Sequence, residues 1–248
     1  ILRLSKSSLD MYLPDHNVAI EYNGLYWHSE KYRDKYAHRE KTDECDKKGI
    51  TLINMFSDEW VLDKEKTKLR LRGILGLCEK YDARKCELGT PSYGECREFL
   101  ELRHMQGAGS TFKYAYGLYY SGVLVSLITF GRGRFNNDGW EILRYASDGR
   151  VRGGISRLIK AFKSEYMPNK IVSYADMRWG SGNAYGAVGF TLDSITEPDY
   201  WWTDGVRRIS RYKMQPHKIG MSEVRYAKEN GLSRIYGVGH KKWVWNKE

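Results

Sequence analysis

The chain has 248 residues, which is enough for one large domain or for two domains of ordinary size. With 41% hydrophobic and 29% charged residues it has the composition of a folded protein with a charged surface, and no segment approaches the ~18 consecutive apolar residues of a membrane span. The formal net charge of +10 makes a polyanion the first partner to consider.

The positive charge is confined to the second part of the chain. Residues 1–82 contain 15 basic and 15 acidic residues, whereas residues 83–248 contain 26 and 16, so the whole excess lies there. From Thr203 to the end the chain has 11 basic and 4 acidic residues, interleaved with aromatic ones. This pattern indicates binding to a polyanion such as DNA, although a merely soluble basic surface would give the same counts.

The cysteines and the first residues bear on the cellular compartment. The four cysteines show no paired short spacing of the kind that zinc sites require, so we expect reduced, buried thiols at Cys45, Cys78, Cys86 and Cys96. The polar N-terminal residues do not resemble a secretory signal peptide. Both observations predict a cytoplasmic protein.

The first part of the chain predicts a small α/β unit that covers residues 1–82. Two segments alternate apolar and polar side chains as strands do, and the turn residues Pro14-Asp15-His16-Asn17 separate them. A helix then stops at Gly49, and the apolar run ITLINMF predicts a buried strand. The predicted order is strand, strand, helix, strand, helix, at residues 9–13, 18–23, 30–48, 50–56 and 64–79.

The second part predicts a mixed sheet domain over residues 83–202, followed by a basic aromatic tail over residues 203–248. The segment YAYGLYYSGVLVSLITFG predicts a hairpin that turns at Ser121-Gly122, and in the tail Ser222 is placed to cap a helix. The other predicted elements are helices over 94–107, 156–166 and 183–188 and strands over 140–145 and 170–174. The predicted fold class is α/β (α+β).

The predicted N-terminal hairpin places two carboxylates opposite each other. A four-residue loop pairs Leu13 with Val18, which sets Asp10 opposite Glu21, with Asn23 on the same face. Directly opposed like charges destabilise a sheet, so a bound divalent cation is the simplest reason to keep them. We therefore expect Asp10 and Glu21 to bind Mg²⁺ or Mn²⁺. A solvated acidic pair in a shifted register is the alternative.

Three further side chains are candidates for the same site. His28 lies near the start of the next helix, from which its imidazole could act as general base or acid. His38 and Lys41 lie three residues apart and share a helix face, from which Lys41 could stabilise the charge that develops on a phosphate. A structural histidine and a solvated helix face are the alternatives.

The segments LDMYLPDHNVAIEYNGLYWHSE and HREKTDECDKKGITLINMFSDEW resemble the Vsr-like nucleases of the PD-(D/E)xK superfamily, which include the very-short-patch mismatch-repair endonuclease and phage homing endonucleases. The resemblance covers roughly residues 7–62. It implies that Asp10 is the metal-binding aspartate and His28 the catalytic histidine. Glu21 and Asn23 stand at the E-x-K position, so Asn replaces a lysine whose role Lys41 could supply from the helix.

The segment RVRGGISRLIKAFK, followed by a strand and by GNAYGAVGF, resembles the GNAT acyltransferase fold, in which a glycine loop at a helix N-terminus holds the cofactor pyrophosphate. Arg150 and Gly153 fit the loop pattern, but Ile155 stands where a small residue belongs, so we expect no tight binding of acetyl-CoA. The resemblance extends to GNAT-like domains of phage proteins, including Mom-type DNA-modifying enzymes. In that setting the fold can serve to grip DNA. The predicted DNA contacts are Arg132, Arg134, Arg144, Arg152, Arg157, Arg178, Arg207, Arg208, Arg211, Lys213, Lys241 and Lys242.

Three functions remain open on the sequence. The one we favour is a metal-dependent endonuclease of the phage homing type, which would hydrolyse double-stranded DNA with Asp10, Glu21, Asn23, His28, His38 and Lys41. The second is a GNAT-type acyltransferase that modifies DNA bases. The third is a DNA-binding protein whose nuclease site has decayed. An assay of plasmid cleavage with and without Mg²⁺ distinguishes the first from the others.

Overall fold

The computed structural model describes residues 8–109, 111–133 and 139–247, and it divides into two compact units. Unit 1 comprises Ile1–Lys64, Ala175–Gly182 and Ile195–Lys241, and unit 2 comprises Glu65–Tyr174, Asn183–Ser194 and Lys242–Glu248. This division differs from the three consecutive domains that we predicted, because two later segments return to pack on the N-terminal one. Most of the predicted basic tail is therefore part of unit 1.

The predicted helices and strands are present in the predicted order, together with further short elements that the sequence did not predict. The helices are α1 (Ala37–Lys47), α2 (Ser57–Leu62), α3 (Lys64–Leu75), α4 (Tyr93–Arg103), α5 (Gly154–Tyr166), α6 (Asn183–Gly186), α7 (Pro216–Ile219) and α8 (Glu223–Glu229). The strands are β1 (Met11–Leu13), β2 (Val18–Asn23), β3 (Thr51–Phe56), β4 (Lys80–Asp82), β5 (Glu87–Gly89), β6 (Tyr114–Tyr120), β7 (Val123–Arg132), β8 (Trp140–Ser147), β9 (Arg150–Arg152), β10 (Lys170–Asp176), β11 (Thr191–Ile195), β12 (Tyr200–Thr203), β13 (Arg208–Ile209), β14 (Ser233–Tyr236) and β15 (His240–Asn246). Ser222 caps α8 as predicted, because its hydroxyl accepts the backbone N–H of Arg225.

Unit 1 begins with a three-stranded sheet in the order β1-β2-β3, where β1 and β2 are antiparallel and β2 and β3 are parallel. The register between β1 and β2 pairs Met11 with Ile20 and Leu13 with Val18, which confirms the predicted hairpin. The loop is a short 3₁₀ turn that ends at Asn17 in the left-handed conformation, with φ 49°. Asparagine tolerates this conformation better than most residues, so the turn follows from the local sequence.

Both faces of this hairpin contain buried residues. Ala19, Glu21 and Asn23 are buried on one face and Val18 and Ile20 on the other, whose Met11 and Tyr22 are exposed. Ala19 packs in a cluster with Leu9, Cys45, Ile50 and Leu52, so helix α1 covers this face of the sheet. The helix begins at Ala37 rather than near residue 30, because residues 24–36 form a series of turns.

A second small sheet of unit 1 has the order β13-β12-β14, and α7 and α8 lie between β13 and β14 in the chain. Trp202 of β12 lies in a core with Met214 and Ala227, the latter from α8. Another core joins Ile235 of β14 to Phe56 at the end of β3. The late segment of the chain is thus tied to the N-terminal sheet by buried apolar contacts.

Unit 2 is built on a sheet with the order β11-β15-β10-β8-β7-β6-β5. Strands β5 to β8 are antiparallel neighbours, whereas β8 and β10 are parallel and helix α5 connects them. Phe162 of α5 stacks on Phe130 of β7, with ring centroids 3.8 Å apart, and both are fully buried. The hairpin between β6 and β7 turns at Ser121 and Gly122, both with positive φ, as predicted.

No helix in the described part of the chain is long and apolar enough to cross a membrane. The cysteines Cys45, Cys86 and Cys96 are buried, Cys78 is half-buried, and all four are free thiols. Burial raises the pKa of Cys45 and of Cys96 to about 11, so these thiols are protonated at neutral pH and are poor nucleophiles.

Candidate functional sites

The structure brings Asp10, Glu21 and Lys41 together in unit 1. The backbone N–H of Asp10 donates to Oε1 of Glu21 at 3.0 Å, and the N–H of Tyr22 donates to Oδ2 of Asp10 at 2.8 Å. Nζ of Lys41 lies 2.6 Å from Oε2 of Glu21 and donates also to the carbonyl of Ser8 at 2.7 Å. The predicted neighbourhood of these three side chains is therefore present.

This donor set does not fit a divalent cation as it is arranged. Both carboxylate oxygens of Glu21 and one of Asp10 are engaged by the protein. The ammonium of Lys41 supplies the positive charge that the metal was expected to supply, and it would repel a cation at the same carboxylate. Within residues 8–109, 111–133 and 139–247, no group of three or more His, Cys, Asp or Glu side chains could hold a metal. We assign no reaction step to Mg²⁺ or Mn²⁺.

His28 and His38 form a hydrogen-bonded pair next to this cluster. Nδ1 of His28 lies 2.9 Å from Nε2 of His38, whose Nδ1 lies 2.8 Å from the carbonyl of Tyr236. A carbonyl only accepts, so His38 carries its proton on Nδ1, its Nε2 accepts, and His28 donates from Nδ1. Burial lowers the pKa of both imidazoles to about 4, so both are neutral at pH 7.

Thr42 and Asn54 are two further buried polar residues near His38, and the sequence did not predict them. Asn54 of β3 donates from Nδ2 to the hydroxyl of Thr42 at 2.9 Å, and that hydroxyl donates to the carbonyl of His38. Among the buried side-chain atoms that the structure describes, Nδ2 of Asn23 and Oδ1 of Asn54 have no hydrogen-bond partner. The signal for Asn54 was a polar residue inside the apolar run ITLINMF.

Three of the predicted DNA-contacting arginines are engaged inside the protein. The side chain of Arg178 is only 3% exposed and lies 2.9 Å from both Glu59 and Asp176. Arg208 lies 3.0 Å from Asp58 and 2.9 Å from Glu59. Arg157 donates to the carbonyls of Ala83 and Cys86. These guanidinium groups compensate buried acceptors and are not presented at the surface.

The other predicted contacts are distributed over both units. Arg132 lies over the ring of Trp140, and Arg144 donates to the carbonyls of Gly107 and Leu143. Lys241 pairs with Asp46 at 3.6 Å, and Lys242 pairs with Asp193 at 3.1 Å. Arg134 lies outside the described residues. The exposed side chains among the predicted contacts are Arg132, Arg152, Arg207, Arg211 and Lys213.

Unit 2 contains a break between two parallel strands. Strands β8 and β10 pair from Trp140 with Ile171 to Ile142 with Ser173, and their pairing stops there although β8 continues to Ser147. On the other side of β8, a bulge leaves Leu143 without a partner in β7. The second half of β8 therefore has no pairing with β10, and we call this unpaired edge of β8 the gap.

Polar side chains from five elements meet at this gap. The hydroxyl of Tyr145 in β8 bonds with Ser126 and receives the backbone N–H of Ile155, and the hydroxyl of Tyr185 in α6 bonds with Ser173. Burial raises the pKa of Tyr185 to about 12, and the positive charge of Arg70 in α3 opposes this shift. Burial also raises the pKa of Tyr145. Both phenols are protonated at neutral pH.

Helix α5 begins at the same place. Gly153 has a φ of 73° and forms the N-cap, so a residue with a side chain would be strained there. A Cβ on Gly154 would lie 3.1 Å from the side chain of Val151 and 3.3 Å from the hydroxyl of Tyr145. The backbone N–H groups in the first turn of this 13-residue helix place a partial positive charge at the gap. Ile155 stands here, as the sequence analysis noted.

No family model and no curated protein matches the sequence. Among solved structures, an IAA acetyltransferase from Bacillus cereus ATCC 14579 is 14% identical, with 65% of this chain and 99% of that chain covered and a TM-score of 0.40. A GNAT family acetyltransferase from Elizabethkingia anophelis is 12% identical, with 66% and 99% covered and a TM-score of 0.40. A protein named streptothricin acetyltransferase, from Bacillus anthracis str. Ames, is 13% identical, with 56% and 65% covered and a TM-score of 0.32. The chain thus spans just under two thirds of the last protein.

The chain is a mixed α/β protein. The prediction of a metal-dependent DNA endonuclease is wrong, because Lys41 and two backbone N–H groups engage both oxygens of Glu21 and one oxygen of Asp10, the carboxylates on which that prediction depended.

Proposed function

We propose that unit 2 transfers an acyl group from an acyl-CoA thioester to an amine. The observation that carries this proposal is that the pairing between β8 and β10 stops at Ile142, before β8 ends. Beyond Ile142 the backbone of β8 faces a gap, and backbone groups of that kind can pair with the amides of an extended pantetheine arm, much as a peptide adds to a strand edge. The N-terminus of α5 at the gap suits the pyrophosphate of the same molecule.

Tyr185 is the residue that we place at the reacting sulfur. The amine nitrogen attacks the thioester carbonyl carbon, the new C–N bond forms, and the C–S bond breaks. Because its pKa of about 12 keeps it protonated, Tyr185 can give its proton to the departing sulfur. The proton that the amine loses returns through solvent to the phenolate, so the net proton transfer is from nitrogen to sulfur.

Calorimetry with CoA and a thiol-release assay with acetyl-CoA and primary amines test the proposal. We expect saturable CoA binding that is weaker than micromolar, because Ile155 crowds the loop. Tyr185→Phe should lower kcat by about 10²-fold and leave CoA affinity unchanged. Tyr120→Phe, which removes a phenol from the β6–β7 hairpin, is the matched control and should keep full activity. Absence of CoA binding in the intact chain would refute the proposal.

A further inference from the structure

We propose that an exposed basic surface of unit 1 binds the phosphate backbone of double-stranded DNA. This surface, the 204–229 surface, consists of the turn after β12, α7, α8 and the residues between them. This proposal rests on the proposed function only for the identity of the acyl acceptor, which would be the exocyclic amines of DNA bases. The binding itself depends on unit 1 alone and can be measured without an acyl donor.

Long basic side chains project from this surface into solvent. The side chains of Arg207 and Arg225 are 68% and 71% exposed, and Lys213 and Lys218 are exposed as well. They belong to elements that are held by local contacts: Lys218 donates to the carbonyl of Tyr212 at 2.8 Å, and Arg211 lies 3.3 Å from Glu223 at the start of α8. The cations are therefore carried on a folded segment and not on a loose tail.

The charge of the surface is positive after internal pairing is taken into account. Residues 204–229 contain seven basic and three acidic residues. Arg208 is neutralised by Asp58 in the interior. At the surface Arg207, Arg211 and Arg225 pair with Asp204, Glu223 and Glu229, so the excess of three positive charges corresponds to Lys213, Lys218 and Lys228. Charges within about 10 Å of one another act together at physiological salt, so the excess forms a local positive field.

Duplex DNA fits this surface better than an acidic protein does. Three of the six cations are arginines, whose planar guanidinium matches two phosphate oxygens at once. Tyr212 is 69% exposed between Arg211 and Lys213 and adds a hydroxyl donor among the cations. A protein partner would instead require a buried apolar centre within the patch. In the described part of this surface the large exposed apolar side chains are Val206 and Val224, which are too few for one.

The test is fluorescence anisotropy of the full chain with a labelled duplex between about 50 and 200 mM salt. Arg207→Gln with Lys213→Gln should weaken binding by about tenfold and reduce the slope of log K against log salt by about 2, because each lost phosphate contact removes about 0.9. The pair Arg207→Lys with Lys213→Arg keeps the charge and should keep the slope. Circular dichroism confirms that the variants are folded.

The matched control removes the same charge from unit 2. Lys85 and Lys160 are exposed there, and Lys85→Gln with Lys160→Gln should leave the slope within about 0.3 of the unaltered chain. An equal loss in this control, or an unchanged slope in the Arg207 and Lys213 variant, overturns the assignment to the 204–229 surface. Stronger binding of RNA or heparin than of duplex DNA overturns the choice of DNA. Loss of CoA binding without loss of DNA binding would refute only the proposed function.

Discussion

Lys41 and Glu21 form a buried ion pair, with Nζ 2.6 Å from Oε2 and the side chain of Glu21 only 6% exposed. The pair joins helix α1 to the central strand of the N-terminal sheet. It explains why a sheet face can carry Asp10 and Glu21 next to each other without a bound cation, since the ammonium and two backbone N–H groups compensate the carboxylates.

Lys41→Met should destabilise the protein strongly. Removal of the ammonium leaves Glu21 buried without its counter-charge, which costs about 3–5 kcal/mol in comparable buried pairs. Lys41→Met combined with Glu21→Gln should recover part of the lost free energy of unfolding, because the buried charge is then gone. Urea unfolding monitored by circular dichroism measures both variants. Lys47→Met on the exposed side of α1 is the control and should change little.

The histidine pair should make the stability of unit 1 depend on pH. Burial, and secondly the charge of Arg33 at His28, lowers the pKa of His28 to about 4, and burial does the same for His38. The unfolded chain binds these protons at a higher pH than the folded chain does. Stability is therefore full above the unfolded pKa of about 6.5 and falls as the pH drops toward 4, by up to about 1.4 kcal/mol per pH unit for each histidine.

Unfolding free energies at about pH 7 and about pH 5 test this dependence. His38→Gln should reduce the fall between the two values, whereas His16→Gln, at an exposed turn position, should leave it as it is. Nitrogen-15 spectra should show both imidazoles neutral at about pH 6 with the proton on Nδ1. An imidazolium at either position under those conditions would contradict the hydrogen-bond chain that ends at the Tyr236 carbonyl.

Arg178→Met should cost about 3–5 kcal/mol, because it leaves Glu59 and Asp176 without the guanidinium that lies 2.9 Å from each. Arg178 and Arg208 together hold the pKa of Glu59 below its ordinary value against the opposing effect of burial. Arg207→Met is the matched control, since it removes an arginine that is 68% exposed and should change stability by less than about 0.5 kcal/mol. Equal losses for the two variants would contradict the assignment of Arg178 to the interior.

Gly154→Ala should disturb the start of α5 and weaken CoA binding. Its Cβ would lie 3.1 Å from Val151 and 3.3 Å from the hydroxyl of Tyr145, so one of these neighbours must shift. We expect a loss of about 1–3 kcal/mol in stability, as in other overpacked sites, and a measurable decrease in CoA affinity by calorimetry. Gly94→Ala in α4 has open space around it and should stabilise the helix by about 0.5–1 kcal/mol. If Gly154→Ala changed neither stability nor CoA affinity, the loop would have space for the added Cβ.

The local sequence by itself determined the elements and the hairpin register of this protein. Period-2 alternation and the turn residues at 14–17 were enough to pair Met11 with Ile20, and Ser222 was enough to start α8, because these features depend on neighbours a few residues away. The segments around the glycine pair at 153–154 likewise predicted the order β8, α5, β10, since a helix and its flanking strands depend on local patterns.

Only the tertiary structure decided which polar groups neutralise one another. Glu21 meets Lys41, Arg178 meets Glu59, and Arg208 meets Asp58 across separations of 20, 119 and 150 residues. A sequence pattern places a charge on a face, but it does not say what covers that face. The carboxylate pair of the hairpin therefore suggested a metal, and the arginines suggested DNA contacts, until packing placed their counter-charges beside them. The burial of those charges is set by distant segments of the chain, which is why local reasoning could assign the hairpin register and still miss the ion pairs.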